Sequence, residues 1–155
     1  MSQIGELAQE IASGYFFHLT GSDLTTQISN TSGWLTVSFG QLNNLIYSSY
    51  SGVDPGLGLE EESIYTQLYL QSYYTNKAIR VLRNIDNDAD WIRITEGDTT
   101  LVRTNKNEVS KSYRALSKDA QEMTASLVAS YHQYLAQPMQ VAGTDAYTGI
   151  LTYAS

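Results

Sequence analysis

The sequence predicts a mainly α fold: a small bundle of about four helices, two of them long, with an inserted β-hairpin and an extended C-terminal tail. Three observations carry this. Two long stretches repeat apolar residues at helical spacing. Two short β-prone runs around a glycine turn lie between them. After Pro138 the helical period stops. The organisation is therefore one bundle over 1–137, with the hairpin at about 91–103, and a tail over 138–155.

The first helix is predicted over 3–19, where Ile4, Leu7, Ala8, Ile11 and Tyr15 form one stripe and Gly21 ends it. Tyr15-Phe16-Phe17 is more apolar than one stripe requires, so this end faces the core or meets another chain. Gly21 to Gly33 is rich in Ser, Thr, Asn and Gly and reads as a loop. From Trp34 two periods compete. Leu35, Val37 and Phe39 alternate like a strand, whereas Leu35, Phe39, Leu42, Ile46 and Tyr50 repeat like a helix. The longer helical match predicts a helix over 34–50. Ser51 to Gly58 is a turn-rich joint.

A long helix is predicted over 59–85. Glu60, Glu61 and Glu62 begin it and Lys77, Arg80 and Arg83 end it, both favourable to the helix dipole. Its apolar residues cover more than one stripe, so it is contacted on two sides, by bundle neighbours or by another subunit. Trp91 to Thr95 and Thr99 to Arg103 flank Glu96-Gly97-Asp98 as a hairpin. The last helix is predicted over 106–137, with a stripe of Val109, Tyr113, Leu116, Ala120, Met123, Leu127 and Tyr131. Asn105 and Glu108 have capping-box spacing before it, and Pro138 stops it. At 1.5 Å per residue this helix is roughly 45 Å long.

With 155 residues and a net charge of −7, the chain is large enough for a core and too acidic for wholesale nucleic-acid binding. It has no cysteine, so disulfides and thiol chemistry are excluded. It shows no run long enough to span a membrane and no secretory signal pattern. Charge is segregated. Every Lys and Arg lies between Lys77 and Lys118, while residues 1–62 carry seven acids and no base. The chain also uses 12 tyrosines against 3 phenylalanines, a composition suited to half-wet contact surfaces.

Candidate chemistry is thin. His18 and His132 stand among aromatic residues without a nucleophile or a zinc-ligand spacing. Asp86, Asp88 and Asp90 imitate the start of a calcium loop, but Trp91 stands where glycine is required and Gly97 where glutamate is. Gly56 and Gly58 lack the rest of a dinucleotide fingerprint. The sequence thus offers no catalytic, cofactor-binding or metal-binding set, and the expectation is a protein that is not an enzyme. A hydrolase has no triad behind it. The bases remain. Lys111, Arg114 and Lys118 share one helix face, and Lys77, Arg80 and Arg83 recur near the end of the other long helix. They read as a solvated face, as phosphate contacts in a DNA-binding or DNA-gating protein, or as a subunit contact. The last reading pairs them with the acid-only N-terminal part, copy to copy and head to tail.

Trp34-Leu35 with Phe39-Gly40-Gln41-Leu42-Asn43-Asn44-Leu45-Ile46 resembles the front of a tailed-phage virion protein family. Gly56-Leu57-Gly58-Leu59-Glu60-Glu61-Glu62 and Ile64-Tyr65 continue the resemblance. So do Trp91, Glu96-Gly97-Asp98, Asn105 to Glu108, Tyr113, Leu116 and Asp119-Ala120. It covers 34–135, and its motifs are structural, with no catalytic anchor. The family members are neck proteins, connectors or adaptors between portal and tail. The resemblance implies a helical bundle repeated in a ring, commonly of about twelve copies, with DNA passing through the lumen. It also implies a terminus that docks on neighbouring portal or tail proteins. The contact residues expected on this reading are Glu60, Glu61, Glu62, Lys77, Arg80, Arg83, Lys111, Arg114 and Lys118. Trp91, Arg93 and Arg103 on the hairpin and Tyr147 and Tyr153 on the tail complete the set.

Overall fold

A computed structural model describes residues 1–83, 94–96, 99–101 and 106–136. The chain is mainly helical, with α1 (Gln3–Tyr15), α2 (Gly21–Val37), α3 (Phe39–Ile46), α4 (Leu59–Leu82) and α5 (Lys106–Leu135). Two three-residue strands, β1 (Ile94–Glu96) and β2 (Thr99–Leu101), pair antiparallel with Thr95 opposite Thr100. The turn and flanks of the expected 91–103 hairpin, the Asn105 cap, the Asp86–Asp90 run and the 138–155 tail lie outside the described residues.

The architecture is organised on α4, which has two working faces. One carries an aromatic ladder at four-residue steps, Tyr65, Tyr69 and Tyr73. Trp34 of α2 packs on Tyr65 and Tyr69 at ring distances of 5.7 and 5.4 Å, and Phe39 of α3 stacks on Tyr65 at 5.1 Å. Phe16, just after α1, meets Tyr73 edge-on at 4.7 Å. The buried hydroxyls are paired: Tyr65 donates to the Leu35 carbonyl, and Tyr69 Oη lies 2.9 Å from Thr31 Oγ1 and accepts from Gln27 Nε2 at 2.8 Å. This is the partnering that buried phenols require. The two-sided contact expected of this helix is therefore made, on this side, by bundle neighbours.

The other face of α4 meets α5 in the most extensive helix–helix contact. Ser110 Oγ donates to the Ala78 carbonyl at 3.3 Å, Ser117 Oγ to the Gln71 carbonyl at 3.2 Å, and Tyr131 Oη to Glu61 Oε1 at 2.9 Å. Position numbers fall along α4 as they rise along α5, so the pair is antiparallel. The α5 seam runs Ser110, Tyr113, Ser117, Ala120, Thr124, Leu127, Tyr131, in steps of three and four, the spacing of coiled-coil packing. A serine hydroxyl can reach the neighbouring helix's backbone only when the axes approach closely, and small side chains allow that.

Four expectations need correction. The stripe predicted for α5 holds at Ala120, Leu127 and Tyr131, which join the core, but not at Leu116 and Met123, which are 43% and 51% exposed, while Ser110 and Thr124 are buried. A hydroxyl that bonds its own or a neighbouring backbone can be buried cheaply, as Thr124 Oγ1 is against the Ala120 carbonyl at 2.8 Å. The segment read as a loop from Gly21 is helix. Thr25, Thr26 and Thr31 turn their hydroxyls onto carbonyls four residues back, and Thr31 and Leu35 are buried, so packing overrides weak propensity. The helix predicted over 34–50 is divided at Ser38 into the end of α2 and the whole of α3, although Leu35, Phe39, Leu42 and Ile46 share the core as expected. Similarly, α1 stops at Tyr15; Tyr15 is exposed and Phe16 takes the buried place.

The small seam predicts opposite outcomes for neighbouring substitutions. Ala120→Leu overpacks the α4–α5 contact and lowers the unfolding free energy by about 1–3 kcal/mol. Leu116→Ala, on the exposed flank, costs about 0.5 kcal/mol or less. Urea melts at high salt distinguish the two. Equal costs would return Leu116 to the core.

Candidate interaction surfaces

The N-terminus of α4 is held in place by a single side chain. Gln3 accepts from the backbone N–H groups of Gly56 and Leu57 at 2.9 and 3.0 Å, and its Nε2 donates to the Leu57 carbonyl and to Glu62 Oε1, each at 2.8 Å. Its own N–H donates to Asp54 Oδ1 at 2.8 Å, and the Ile4 N–H donates to the Val53 carbonyl. Gly56 has φ +73°, a left-handed turn that a side chain would strain. The joint is thus fastened to α1, which brings Glu62 to the same groove as Glu10.

Next to these acids lies a trough between α1, α4 and α5. One part, of about 530 Å³, is lined by Leu59, Glu60, Glu61, Leu127, Tyr131 and Tyr134. The adjoining part, of about 300 Å³, runs past Glu10, Tyr15, Glu62 and Met123, sharing Leu59, Ser63 and Leu127 with the first. Leu59 and Tyr134 are 79% and 71% exposed. Inside the trough Glu61 Oε1 accepts from Tyr131 at 2.9 Å and from Tyr50 at 3.4 Å. Burial first, and then the Glu61 carboxylate, push the Tyr131 hydroxyl up to about 12; the same causes raise Tyr50. Glu60 and Glu10 remain at the rim, exposed.

The bases are divided between two places. Lys111, Arg114 and Lys118 are exposed on α5, with Lys118 Nζ 3.9 Å from Glu122 Oε1. They lie on one flank of the α5 seam, and Leu116 and Met123 lie on the other, as the 100° helical rotation per residue requires. Lys77 and Arg80 instead line a cleft of about 330 Å³ between α2 and α4, with Gln27, Asn30, Trp34 and Tyr73. Arg83 is exposed at the C-cap of α4. Trp91, Arg93, Arg103, Tyr147 and Tyr153 lie outside the described residues.

No family model, curated protein or solved structure matches the chain.

His132 sits where a packed histidine belongs. Its Nε2 is 2.8 Å from the Leu45 carbonyl, which can only accept, so that nitrogen carries the proton. The ring also meets Tyr47, whose φ of +54° ends α3 in a left-handed turn. Among the described residues, no three of His, Cys, Asp and Glu are placed to share a metal ion. No described helix is long and apolar enough to cross a membrane.

The sequence located the charges and missed the trough between them. Met123 reads as core because its spacing is helical, yet it is 51% exposed. The corrective signal was the hydroxyl series Ser110, Ser117, Thr124 at seven-residue intervals, which marks the true seam. The Trp34 cleft was hidden by reading Gln27 and Asn30 as loop.

The raised tyrosines set a pH limit on the fold. Tyr65, Tyr69 and Tyr131 have folded values above the ordinary 10.0, burial being the leading cause in each. The folded chain then holds protons that the unfolded chain releases, so stability is intact below pH 10 and declines above it. Urea midpoints at about pH 9 and about pH 11 should show the decline, with a shallower slope in Tyr65→Phe than in wild type. Parallel slopes would remove Tyr65 from the linkage.

Proposed function

We propose that the chain is a structural, non-enzymatic virion protein of a tailed phage. It acts as a neck connector or adaptor that forms a ring between portal and tail, through which DNA passes. The observation that carries this reading is the pair of unlike contact surfaces on the α4–α5 hairpin, a basic flank and an acidic, partly apolar trough. A monomer with one binding partner has no use for both. Surfaces that differ and face opposite ways suit copies joined head to tail, and such contacts close into rings. The resemblance of 34–135 to neck proteins supports the same conclusion and supplies the ring of about twelve copies.

On this reading Trp91, Arg93 and Arg103, expected on the hairpin at 91–103, meet the portal or a tail protein. The 138–155 segment, with Tyr147 and Tyr153, docks on a neighbour. The protein is assembled in the host cytoplasm and resides in the virion.

A second reading has one observation in its favour. The Lys77–Arg80 cleft places the half-buried Trp34 and Tyr73 beside two cations, a combination that suits DNA binding through phosphate contact and base stacking. Such binding weakens linearly in log affinity with log salt.

Deleting the gene from the encoding phage should leave DNA-filled heads without tails in negative-stain micrographs, and the chain should be present in purified wild-type particles. Tailed, infectious particles from the deletion would overturn the neck reading. Salt-sensitive gel shifts of the purified chain, abolished by Arg80→Ala, would favour the second.

A further inference from the structure

We infer that a second copy of this chain docks its Lys111–Arg114–Lys118 flank into the acidic trough between α1, α4 and α5. This rests on the self-association part of the proposed function and adds the two surfaces that meet.

Charge complementarity is the first argument. The chain has no Lys or Arg before residue 77 and none after 118, so the sequence around the trough supplies acids without bases. Glu10 and Glu60 stand exposed at its rim, and Glu61 and Glu62 lie beneath. The three bases on α5 lie on one exposed face, where Lys118 also forms a solvent-exposed ion pair with Glu122 at 3.9 Å. Opposite charges facing across an interface hasten encounter and fix register.

The second argument is apolar. Tyr15, Leu59, Met123 and Tyr134 are exposed along the trough. On α4, Ile79, 40% exposed, lies toward the flank of the α4–α5 seam that carries the bases. An interface needs an apolar centre ringed by polar groups, and the trough has that plan.

The third argument is geometric. The basic flank and the trough lie on opposite flanks of the α5 seam. A two-fold dimer buries the same surface on both partners, which this arrangement does not offer. Each copy therefore uses its basic flank on one neighbour and its trough on the other, giving a closed ring or an open filament.

Charge exchange tests this. The acceptor variant Glu10→Lys/Glu60→Lys and the donor variant Lys111→Glu/Arg114→Glu should each weaken association at low salt roughly tenfold or more, read by sedimentation velocity. The quadruple variant, with both surfaces reversed, should associate again. Far-UV circular dichroism confirms helix content, because Glu60→Lys also opposes the α4 dipole; the donor variant carries no such cost. Losses that add in the quadruple variant would overturn the pairing, as would a wild-type chain that stays monomeric at low salt. If the quadruple variant associates but the deletion phage remains tailed, the contact stands and the neck reading falls. If wild type forms rings that neither variant weakens, the contact falls and the neck reading stands.

Discussion

The close approach of α4 and α5 is the constraint on which the rest of the structure depends. On α5 their seam sets the small Ser110, Ser117, Ala120 and Thr124 between the larger Tyr113, Leu127 and Tyr131. Small side chains let hydroxyls reach the facing backbone, and Thr75 Oγ1, Ser117 Oγ and the Gln71 carbonyl gather within 3.2 Å of one another. Two hydroxyl protons serve three oxygens there, so the seam is polar yet satisfied. A seam of this kind buries less apolar area than a leucine seam. The missing burial is supplied on the opposite face of α4, where Tyr65, Tyr69 and Tyr73 pack against α1, α2 and α3. The functional consequence lies in what the seam leaves over. With Leu116, Met123 and Tyr134 outside the contact, one flank of the hairpin stays apolar and accessible.

Placement of the acids follows from a different device. Glu60, Glu61 and Glu62 favour the start of α4 through its dipole, and this local logic alone would put them anywhere around the first turn. Gln3 fixes them beside α1 by satisfying both its amide donors and its acceptor oxygen on the 53–62 joint. Glu61 is then drawn inward by Tyr50 and Tyr131, while Glu60 and Glu10 stay exposed. Helix-end charges that stabilise a fold are in this way also the material of a surface.

Much of this was legible in the sequence. The two long helices stood out because their periods persist over many turns. Segregated charge is a property of sequence alone, and Lys111, Arg114 and Lys118 fall on one face by spacing. The rest depended on tertiary partners. Thr25, Thr26 and Thr31 favour turns when unpacked, and it is the burial of Thr31 and Leu35, with Thr31 bonded to Tyr69, that holds the segment as helix. Leu116 and Met123 were misread as seam residues because they outrank Ser110 and Thr124 in hydropathy, while the seam selects at those turns for size and hydrogen bonding. That error concealed the trough, since its lining had been assigned to the core. The residues expected on the hairpin and the tail lie outside the described chain.

The central claim is that the two flanks of the α4–α5 hairpin meet between copies. Carbodiimide joins a lysine amine directly to a carboxylate, with no spacer between them. Applied at low ionic strength to a mixture of ordinary and heavy-isotope-labelled chains, it reports which pairs touch across copies. Mixed-label peptides linking Lys111 or Lys118 to Glu10 or Glu60 are the predicted result. Links confined to single copies, such as Lys118 to Glu122, would contradict the account.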